Sequence, residues 1–308
     1  MRCGITEILP AAASRGLASL LVVCLSSSAT LSNAQQVGQF VEPIFRVAHE
    51  EEVSQAPQMA SRITPPAAQS PLNLELHPGE HPLMPAMRVA QEGLVRIDTT
   101  IADYSAMLIK EERIDGVLSP KEVAFIKVRH QPFSVYMFFL QPHKGRECLY
   151  NSGPNNTKGL LNARDCGFKK RLGVFELDPD GRLAMNGQKY PIYKLGVRNL
   201  VTELIDVANN DTQFGECEVQ TKQSVINGRA ATLIEVVHPV PRQNFRFYKA
   251  ELFIDNELKL PIRYASYMWP QQPGQEPPLE EAYTYVNIKL NNGYTDADFD
   301  KENVEYFK

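Results

Sequence analysis

The residues whose spacing comes closest to a catalytic motif are His77, Glu80 and His81, which match the pattern H-x-x-E-H. On a helix this pattern places two imidazoles and a carboxylate on one face, where they can bind zinc. Pro78 and Gly79 follow the first histidine, and neither residue suits the interior of a helix. We therefore predict no metal site at this motif, and none elsewhere in the chain.

Adjacent carboxylates are the second arrangement suited to catalysis, because two acids can act as general acid and general base. Glu111-Glu112 and Glu280-Glu281 are such pairs, and we interpret both as solvated acids in exposed turns. The sequence contains no G-x-S-x-G elbow, phosphate-binding glycine loop or dinucleotide-binding fingerprint. The chain is therefore predicted not to be an enzyme, with no catalytic residues and no cofactor.

The five cysteines fall into two groups. Cys3 and Cys24 lie in a predicted export signal and would leave with it, and Cys148, Cys166 and Cys217 would remain in an oxidising compartment. Three cysteines permit one disulfide and one spare thiol, and Cys148 with Cys166 is the predicted pair because neighbouring strands can bring two Cα atoms within bridging range. The alternative is three buried thiols that behave as small apolar residues.

The N-terminus has the three parts of a cleavable export signal. Arg2 and Arg15 form a basic region, Leu17–Leu25 is apolar, and Ser32-Asn33-Ala34 has small residues at both positions that a signal peptidase reads. The apolar run is shorter than the roughly twenty residues that a membrane-spanning helix needs. We therefore predict cleavage after Ala34, which places the protein in the periplasm or outside the cell.

Composition separates the rest of the chain into a tether and a domain. Residues 35–83 are rich in Pro, Gln, Ala and Ser, without a sustained apolar period, which predicts a disordered tether. Residues 84–308 carry the patterned sequence and are predicted to form a single domain without a membrane span. The formal net charge of −4, without a long run of Lys or Arg, argues against a nucleic-acid partner, and we predict none.

Hydrophobic periodicity predicts two helices and a series of antiparallel strands. Apolar residues recur at helical spacing from Met87 to Ile101 and again from Val197 to Ala208. Asn227-Gly228 between alternating segments is the strongest hairpin pattern. The predicted fold is therefore α+β, a curved antiparallel sheet with helices on one face. The other predicted strands are 104–114, 122–129, 133–140, 147–151, 159–163, 245–254, 260–268 and 282–290.

One predicted strand, Phe133–Leu140, is apolar at both alternating sets of positions. Such a strand is either covered on both faces as the centre of a packed core, or has one face turned into an apolar cavity. The second interpretation predicts a ligand cavity. The candidate lining residues are Val135, Met137, Phe139 and Leu149.

Near the C-terminus, Leu252–Asp255 is followed by Leu260–Tyr264, and Tyr285–Phe299 combines a last strand with an acidic tail. These segments are similar to the strand, turn and L-P-x-R strand and to the closing strand and acidic tail of the LolA/LolB superfamily of exported bacterial lipoprotein carriers, which the chain resembles from about Met87 to Lys308. This resemblance implies a half-open antiparallel barrel around an apolar cavity, with helices as a lid. The carriers' lid-binding arginine is replaced here by Tyr136, so their latch is not evident.

The central part of the chain resembles an uncharacterised family of exported bacterial proteins more closely. Pro132–Tyr136, Leu177-Asp178-Pro179 and Tyr190-Pro191-Ile192 carry this resemblance, which implies the same fold and no assigned activity.

Two functions remain open from the sequence. The first is an exported binding module that holds a lipid, an acyl chain or a lipidated peptide in its cavity. The second is a structural or sensory domain of the cell envelope with a filled core, which meets a protein partner through a sheet edge or the loop at Trp269, the single tryptophan.

Overall fold

The computed structural model describes residues 72–272 and 274–308. The predicted signal peptide, its cleavage site and most of the tether lie outside these residues. Two α-helices are present in the described part of the chain, α1 (Met84–Thr100) and α2 (Val197–Asp211). The strands are β1 (Asp103–Ile114), β2 (Val117–Leu118), β3 (Glu122–Arg129), β4 (Ser134–Gln141), β5 (Glu147–Asn151), β6 (Leu161–Arg164), β7 (Phe175–Leu177), β8 (Glu218–Ile226), β9 (Arg229–Val237), β10 (Lys249–Asp255), β11 (Pro261–Tyr267) and β12 (Leu279–Leu290).

The strands form one antiparallel sheet in the order β7-β6-β5-β4-β3-β1-β12-β11-β10-β9-β8, and β2 pairs with β1. Most neighbours in the sheet are consecutive in the chain, because short turns join them. At the β8–β9 turn, Asn227 and Gly228 have φ values of 50° and 77°, the left-handed geometry that a two-residue hairpin requires. The sheet does not close, and β7 and β8 are its edges. The predicted α+β class and antiparallel sheet are confirmed.

The two helices pack together over one part of the sheet. Ile97 and Ile101 near the end of α1 form an apolar cluster with Val201 of α2 and with Leu260, which precedes β11. Further along α2, Val207 packs against the side chains of β10 and β11 and their flanking residues. Burial of these stripes, at about 25 cal/mol for each Å² of apolar surface, is what holds both amphipathic helices on the sheet.

The opposite face of β4 and β5 is covered by the C-terminal segment. The Tyr306 ring stacks on Tyr136 with 3.8 Å between ring centroids, and Phe299 joins Tyr136 and Leu149 in a buried cluster. β4 is therefore apolar on both faces. One face, with Tyr136, packs against the C-terminal segment, and the other face, with Met137, belongs to the main core.

Residues 72–83, before the predicted boundary at Met84, pack against the domain. Leu72 and Leu74 pack against a cluster that contains Val89 of α1 and Ile234 of β9. The His81 Nε2 atom lies 2.7 Å from the carbonyl oxygen of Phe214. Residues 72–83 were predicted to belong to a disordered tether, but apolar packing attaches them to the domain. The proline-rich composition of the segment did not indicate this packing.

The predicted Cys148–Cys166 disulfide is not formed. Cys148, Cys166 and Cys217 are free thiols in the structure. Cys148 lies opposite Ala163 in the β5–β6 ladder, so Cys166 is three residues further along the chain. Three residues of extended chain span about 10 Å, which exceeds the Cα separation of about 7 Å that a disulfide tolerates. Burial raises the pKa values of Cys148 and Cys217 to about 12.

Candidate ligand cavity

A row of small and apolar side chains crosses six strands on the face of the sheet that carries the main core. Each member lies directly opposite the next in the antiparallel ladders, so all of them point to the same face. The row is Ala106, Ile126, Met137, Cys148, Ala163 and Phe175. Ala106 and Ile126 are buried in the main core, and the other four members, from Met137 to Phe175, border open space.

That space is a cavity of about 1010 Å³, which we call the main cavity. Known small-molecule sites occupy about 300–1,000 Å³. The sheet forms one wall, and Leu200, Leu204 and Val207 of α2 form another. The chain between β7 and α2 forms the roof and contributes Leu183 and Ile192.

A second cavity of about 540 Å³, the minor cavity, lies between α1, α2 and the sheet. Val89 and Ile97 of α1 line it, as does Ile254 of β10. Leu204 of α2 lines both cavities, so this side chain stands between the two spaces.

The structure brings only part of the predicted lining together. Met137 and Phe139 line the main cavity. Val135 shares their face but is fully buried in the main core. Leu149 lies on the other face because it is opposite Tyr136, and Cys148, opposite Met137, is the residue of β5 that lines the cavity.

A cluster of charged and polar side chains interrupts the apolar lining of the main cavity. We call it the Glu112 cluster, and its members are Lys110, Glu112, Lys189, Glu281 and Tyr283. Alternation along β1 continues the face of Leu108 into Lys110 and Glu112, and the ladder places Glu281 of β12 opposite Glu112. Glu112 and Glu281 are both buried, so the interpretation of these acids as solvated turn residues is wrong.

Two lysines and one tyrosine hydroxyl contact the carboxylates of the cluster, and each lysine is also paired with a neighbouring acid, Lys110 with Glu122 at 3.0 Å and Lys189 with Glu280 at 2.7 Å. The Lys110 ammonium lies 3.1 Å from Glu112 Oε2, and the Lys189 ammonium lies 3.3 Å from Glu281 Oε2. The Tyr283 hydroxyl donates to Glu112 Oε1 at 2.7 Å and lies 3.4 Å from Glu281 Oε2. Buried like charges directly opposite each other would destabilise the sheet without such donors.

Burial and the neighbouring carboxylates of Glu281 and Glu112 raise the pKa of Tyr283 well above its usual range. Burial and Glu281 raise the pKa of Tyr190 in the same way. Both hydroxyls therefore stay protonated and act as hydrogen-bond donors. The arrangement supplies fixed polar groups to a mainly apolar space, with its acids held by donors, and this suits binding better than proton transfer.

The other sequence motifs lie outside the main cavity. Glu80 of the H-x-x-E-H motif accepts hydrogen bonds from Arg88 and from the backbone N–H of His77, in a turn. Within residues 72–308, Pro273 apart, His, Cys, Asp and Glu side chains nowhere form a group of three that could hold a metal ion. The indole N–H of the half-buried Trp269 donates to the carbonyl oxygen of His238.

The structure thus defines a cavity-bearing protein built on an open antiparallel sheet. The model of a family described as "Protein of unknown function (DUF1571)" matches residues 101–307, about two thirds of the 308-residue chain. The chain belongs to this family, which confirms the resemblance to an uncharacterised family. No curated protein matches the sequence. Across the described residues, neither helix is long and apolar enough to cross a bilayer.

Several solved structures are similar to the chain. The lipoprotein LppX of Mycobacterium tuberculosis is 12% identical, with 69% of this chain and 98% of that chain covered and a TM-score of 0.39. MucB in the Pseudomonas aeruginosa MucA/MucB complex is 14% identical, with 70% and 60% covered and a TM-score of 0.38. A LolA superfamily protein of Nitrosomonas europaea is 11% identical, with 70% and 97% covered and a TM-score of 0.27. A member of the superfamily that the sequence resembles is therefore among these structures.

Proposed function

We propose that this protein is an exported, non-enzymatic binding module that holds a lipid or another acyl-chain ligand in the main cavity. The observation that carries the proposal is the cavity of about 1010 Å³ along the apolar row of β4 to β7. An acyl chain laid against Met137, Cys148 and Ala163 would exchange water for apolar surface over its whole length. At about 0.8 kcal/mol for each buried methylene, such a chain contributes most of the binding free energy.

The volume of the main cavity also favours this proposal over the alternative of a domain with a filled core. Interiors of folded proteins are packed with few voids larger than a water molecule. A purely structural domain has no use for a space of this size next to Met137 and Phe139. Trp269 does not favour the alternative either, because its indole N–H is used within the protein.

The test is ligand uptake by a variant in which the cavity is filled. Ala163 lies on β6 at the centre of the cavity wall, and Ala163→Trp places an indole in the path of the ligand. Ala230→Trp is the matched control, because Ala230 is an exposed strand residue of β9 outside the cavity lining. Unfolding by urea first establishes that both variants are folded.

Uptake is measured with a fluorescent fatty acid, and native mass spectrometry of the gently purified wild-type protein detects lipid-sized adducts. We expect wild type and Ala230→Trp to bind the fatty acid and Ala163→Trp to lose at least tenfold in affinity. The proposal fails if wild type neither carries an adduct nor takes up the fatty acid, or if a folded Ala163→Trp binds as tightly as wild type.

Export is the second part of the proposal, and it is supported by the three-part pattern that ends at Ala34. N-terminal sequencing of the protein expressed in a bacterial host should identify Gln35 as the first residue in the cell-envelope or secreted fraction. A chain that retains Met1 in the cytoplasmic fraction would contradict this assignment.

A further inference from the structure

Exposed apolar side chains are concentrated beside the main cavity. Six of the twelve exposed large hydrophobic residues in the described part of the chain lie between Phe168 and Tyr190. Phe168 and Leu172 are 81% and 67% exposed, and Val174 is also exposed. Scattered exposed apolar residues are normal, but four of them within the eight residues Phe168–Phe175 favour a surface that meets another molecule or a membrane.

The same group carries positive charge. Residues 167–174, which we call the rim segment, read Gly-Phe-Lys-Lys-Arg-Leu-Gly-Val, with three consecutive cations and no acid. The segment begins with a 3₁₀ turn over Gly167–Leu172 between β6 and β7. The Arg171 guanidinium lies 5.2 Å from the centre of the Phe168 ring, so cationic and aromatic groups share one exposed surface.

The nearest acids are engaged elsewhere or only partly offset this charge. Asp165 accepts hydrogen bonds from Arg146 and lies 3.7 Å from Lys169. Glu176 is paired with Lys301 at 2.8 Å. The rim segment therefore presents an excess of positive charge together with its apolar side chains.

The rim segment is continuous with the main cavity. Lys169 belongs to both, and Phe175 follows directly on the segment and lines the cavity while 42% of its surface stays exposed. Leu183 is also exposed and lines the cavity. An acyl chain that leaves the cavity on this side would pass over apolar groups until it reaches the rim.

We propose that the rim segment docks the protein on an anionic lipid bilayer, so that the main cavity exchanges its ligand with the membrane. This step rests on the proposed lipid-binding function. The partner that best fits the rim segment is a membrane surface, because the segment combines adjacent Lys and Arg residues with protruding Phe and Leu side chains. The cations meet anionic headgroups, while the ring of Phe168 and the side chain of Leu172 enter the boundary between headgroups and acyl chains.

Co-sedimentation with vesicles tests the docking step. Vesicles of phosphatidylcholine with about 30 mol% phosphatidylglycerol are compared with vesicles of phosphatidylcholine alone. We expect the wild-type protein to bind the anionic vesicles, and to be released at about 0.5 M NaCl because screening shortens the reach of the charges to a few Å.

Two groups of substitutions separate charge from apolar insertion. Lys170→Gln and Arg171→Gln together, which lie outside the cavity lining, should weaken binding by about 25-fold, at about fivefold for each cation. Phe168→Ser and Leu172→Ser should each weaken it about tenfold. Val225→Ser and Val304→Ser are the matched controls, because these residues are 67% and 79% exposed outside the rim segment, and they should bind like wild type.

The fatty-acid assay in solution distinguishes failure of this step from failure of the proposed function. Variants of the rim segment that lose vesicle binding and still take up the free fatty acid support docking. The docking proposal would be overturned if the wild-type protein does not bind anionic vesicles, or if the rim variants bind them as well as wild type. Vesicle binding without any fatty-acid uptake would retain the docking surface and refute the lipid cavity.

Discussion

Gly196 is the point where the chain enters α2, and we expect its replacement by alanine to destabilise the domain. Its φ of 112° lies in a region that residues with a Cβ atom avoid. A Cβ atom added there would lie 3.0 Å from the Tyr104 hydroxyl oxygen and 3.6 Å from a methyl group of Val128. The same hydroxyl accepts a hydrogen bond from the backbone N–H of Val197 at 3.1 Å.

The expected magnitude has two parts. A backbone conformation of this kind costs about 1–3 kcal/mol for a residue other than glycine. Displacing the Tyr104 hydroxyl from the Val197 N–H removes a buried hydrogen bond worth about 1 kcal/mol. Gly196→Ala should therefore lower the free energy of unfolding by about 2–4 kcal/mol.

Gly93→Ala is the matched control, because Gly93 lies inside α1 and an added Cβ atom there meets nothing within 4 Å. Alanine is favoured over glycine in a helix by about 1 kcal/mol, so this variant should be slightly more stable than wild type. Urea unfolding followed by the fluorescence of Trp269, the single tryptophan, measures both changes. A Gly196→Ala variant within 0.5 kcal/mol of wild type, an interval of about a factor of two in the folding equilibrium, would refute the reasoning.

The other predictions concern buried polar groups and thiols. Asp103→Ala should cost about 3 kcal/mol in urea unfolding, because the Asp103 carboxylate accepts hydrogen bonds from the backbone N–H groups of residues 292–294; a loss below about 1 kcal/mol would contradict this. Burial lowers the pKa of His130 in the folded protein. As the pH falls below about 6.5, the ordinary pKa of histidine, this side chain therefore binds a proton in the unfolded chain before it does so in the folded one. The free energy of unfolding consequently decreases as the pH drops through this range. His130→Asn should reduce this slope by up to about 1.4 kcal/mol per pH unit in unfolding measured from pH 7.5 to 5.5, and an unchanged slope would exclude His130 as its source. At pH 8 about one in ten thousand of the Cys148 and Cys217 thiols is ionised, given their pKa values of about 12. Mass spectrometry should thus show slow iodoacetamide labelling of both until urea unfolds the chain, and rapid labelling of the native protein would be the opposite result.

Most of the sheet could be predicted, because local sequence patterns define most of its strands. The predicted strands 122–129 and 147–151 coincide with β3 and β5, and the hairpin at Asn227-Gly228 forms as expected. Strand β7 was missed because it has three residues and is defined only by pairing with β6 across the rim segment. A strand this short has too few residues to show an alternation of its own.

Of the four residues predicted to line a ligand cavity, two line the main cavity and two lie elsewhere. Alternation within β4 correctly grouped Met137 with Phe139, which the structure places in the cavity wall. Whether Cys148 or Leu149 shares their face depends on the register between β4 and β5, which the connecting turn determines. Shifting the register by one residue exchanges the two faces of a strand, so alternation alone could not decide between these neighbours.

The Glu112 cluster could not be assigned from adjacent acids, because its members come from separate parts of the chain. Lys110 and Glu112 do show the i, i+2 spacing of one strand face, which was a usable local pattern. Their partners Glu281 and Tyr283 join them only through the β1–β12 pairing. Lys189 enters from the loop before α2, where nothing in the local sequence indicates its position.

The placement of the helices explains why the cavity lies where it does. α2 packs through Val207 against Phe247 and Tyr264, over the part of the sheet that contains β10 and β11. The apolar row continues instead across β4 to β7, where the roof is the irregular chain between β7 and α2. An irregular segment covers a sheet less completely than a helix whose ridges fit the surface, because its backbone groups also need hydrogen-bond partners. A ligand in the cavity would therefore lie under the least regular part of the domain, next to edge strand β7 and the rim segment.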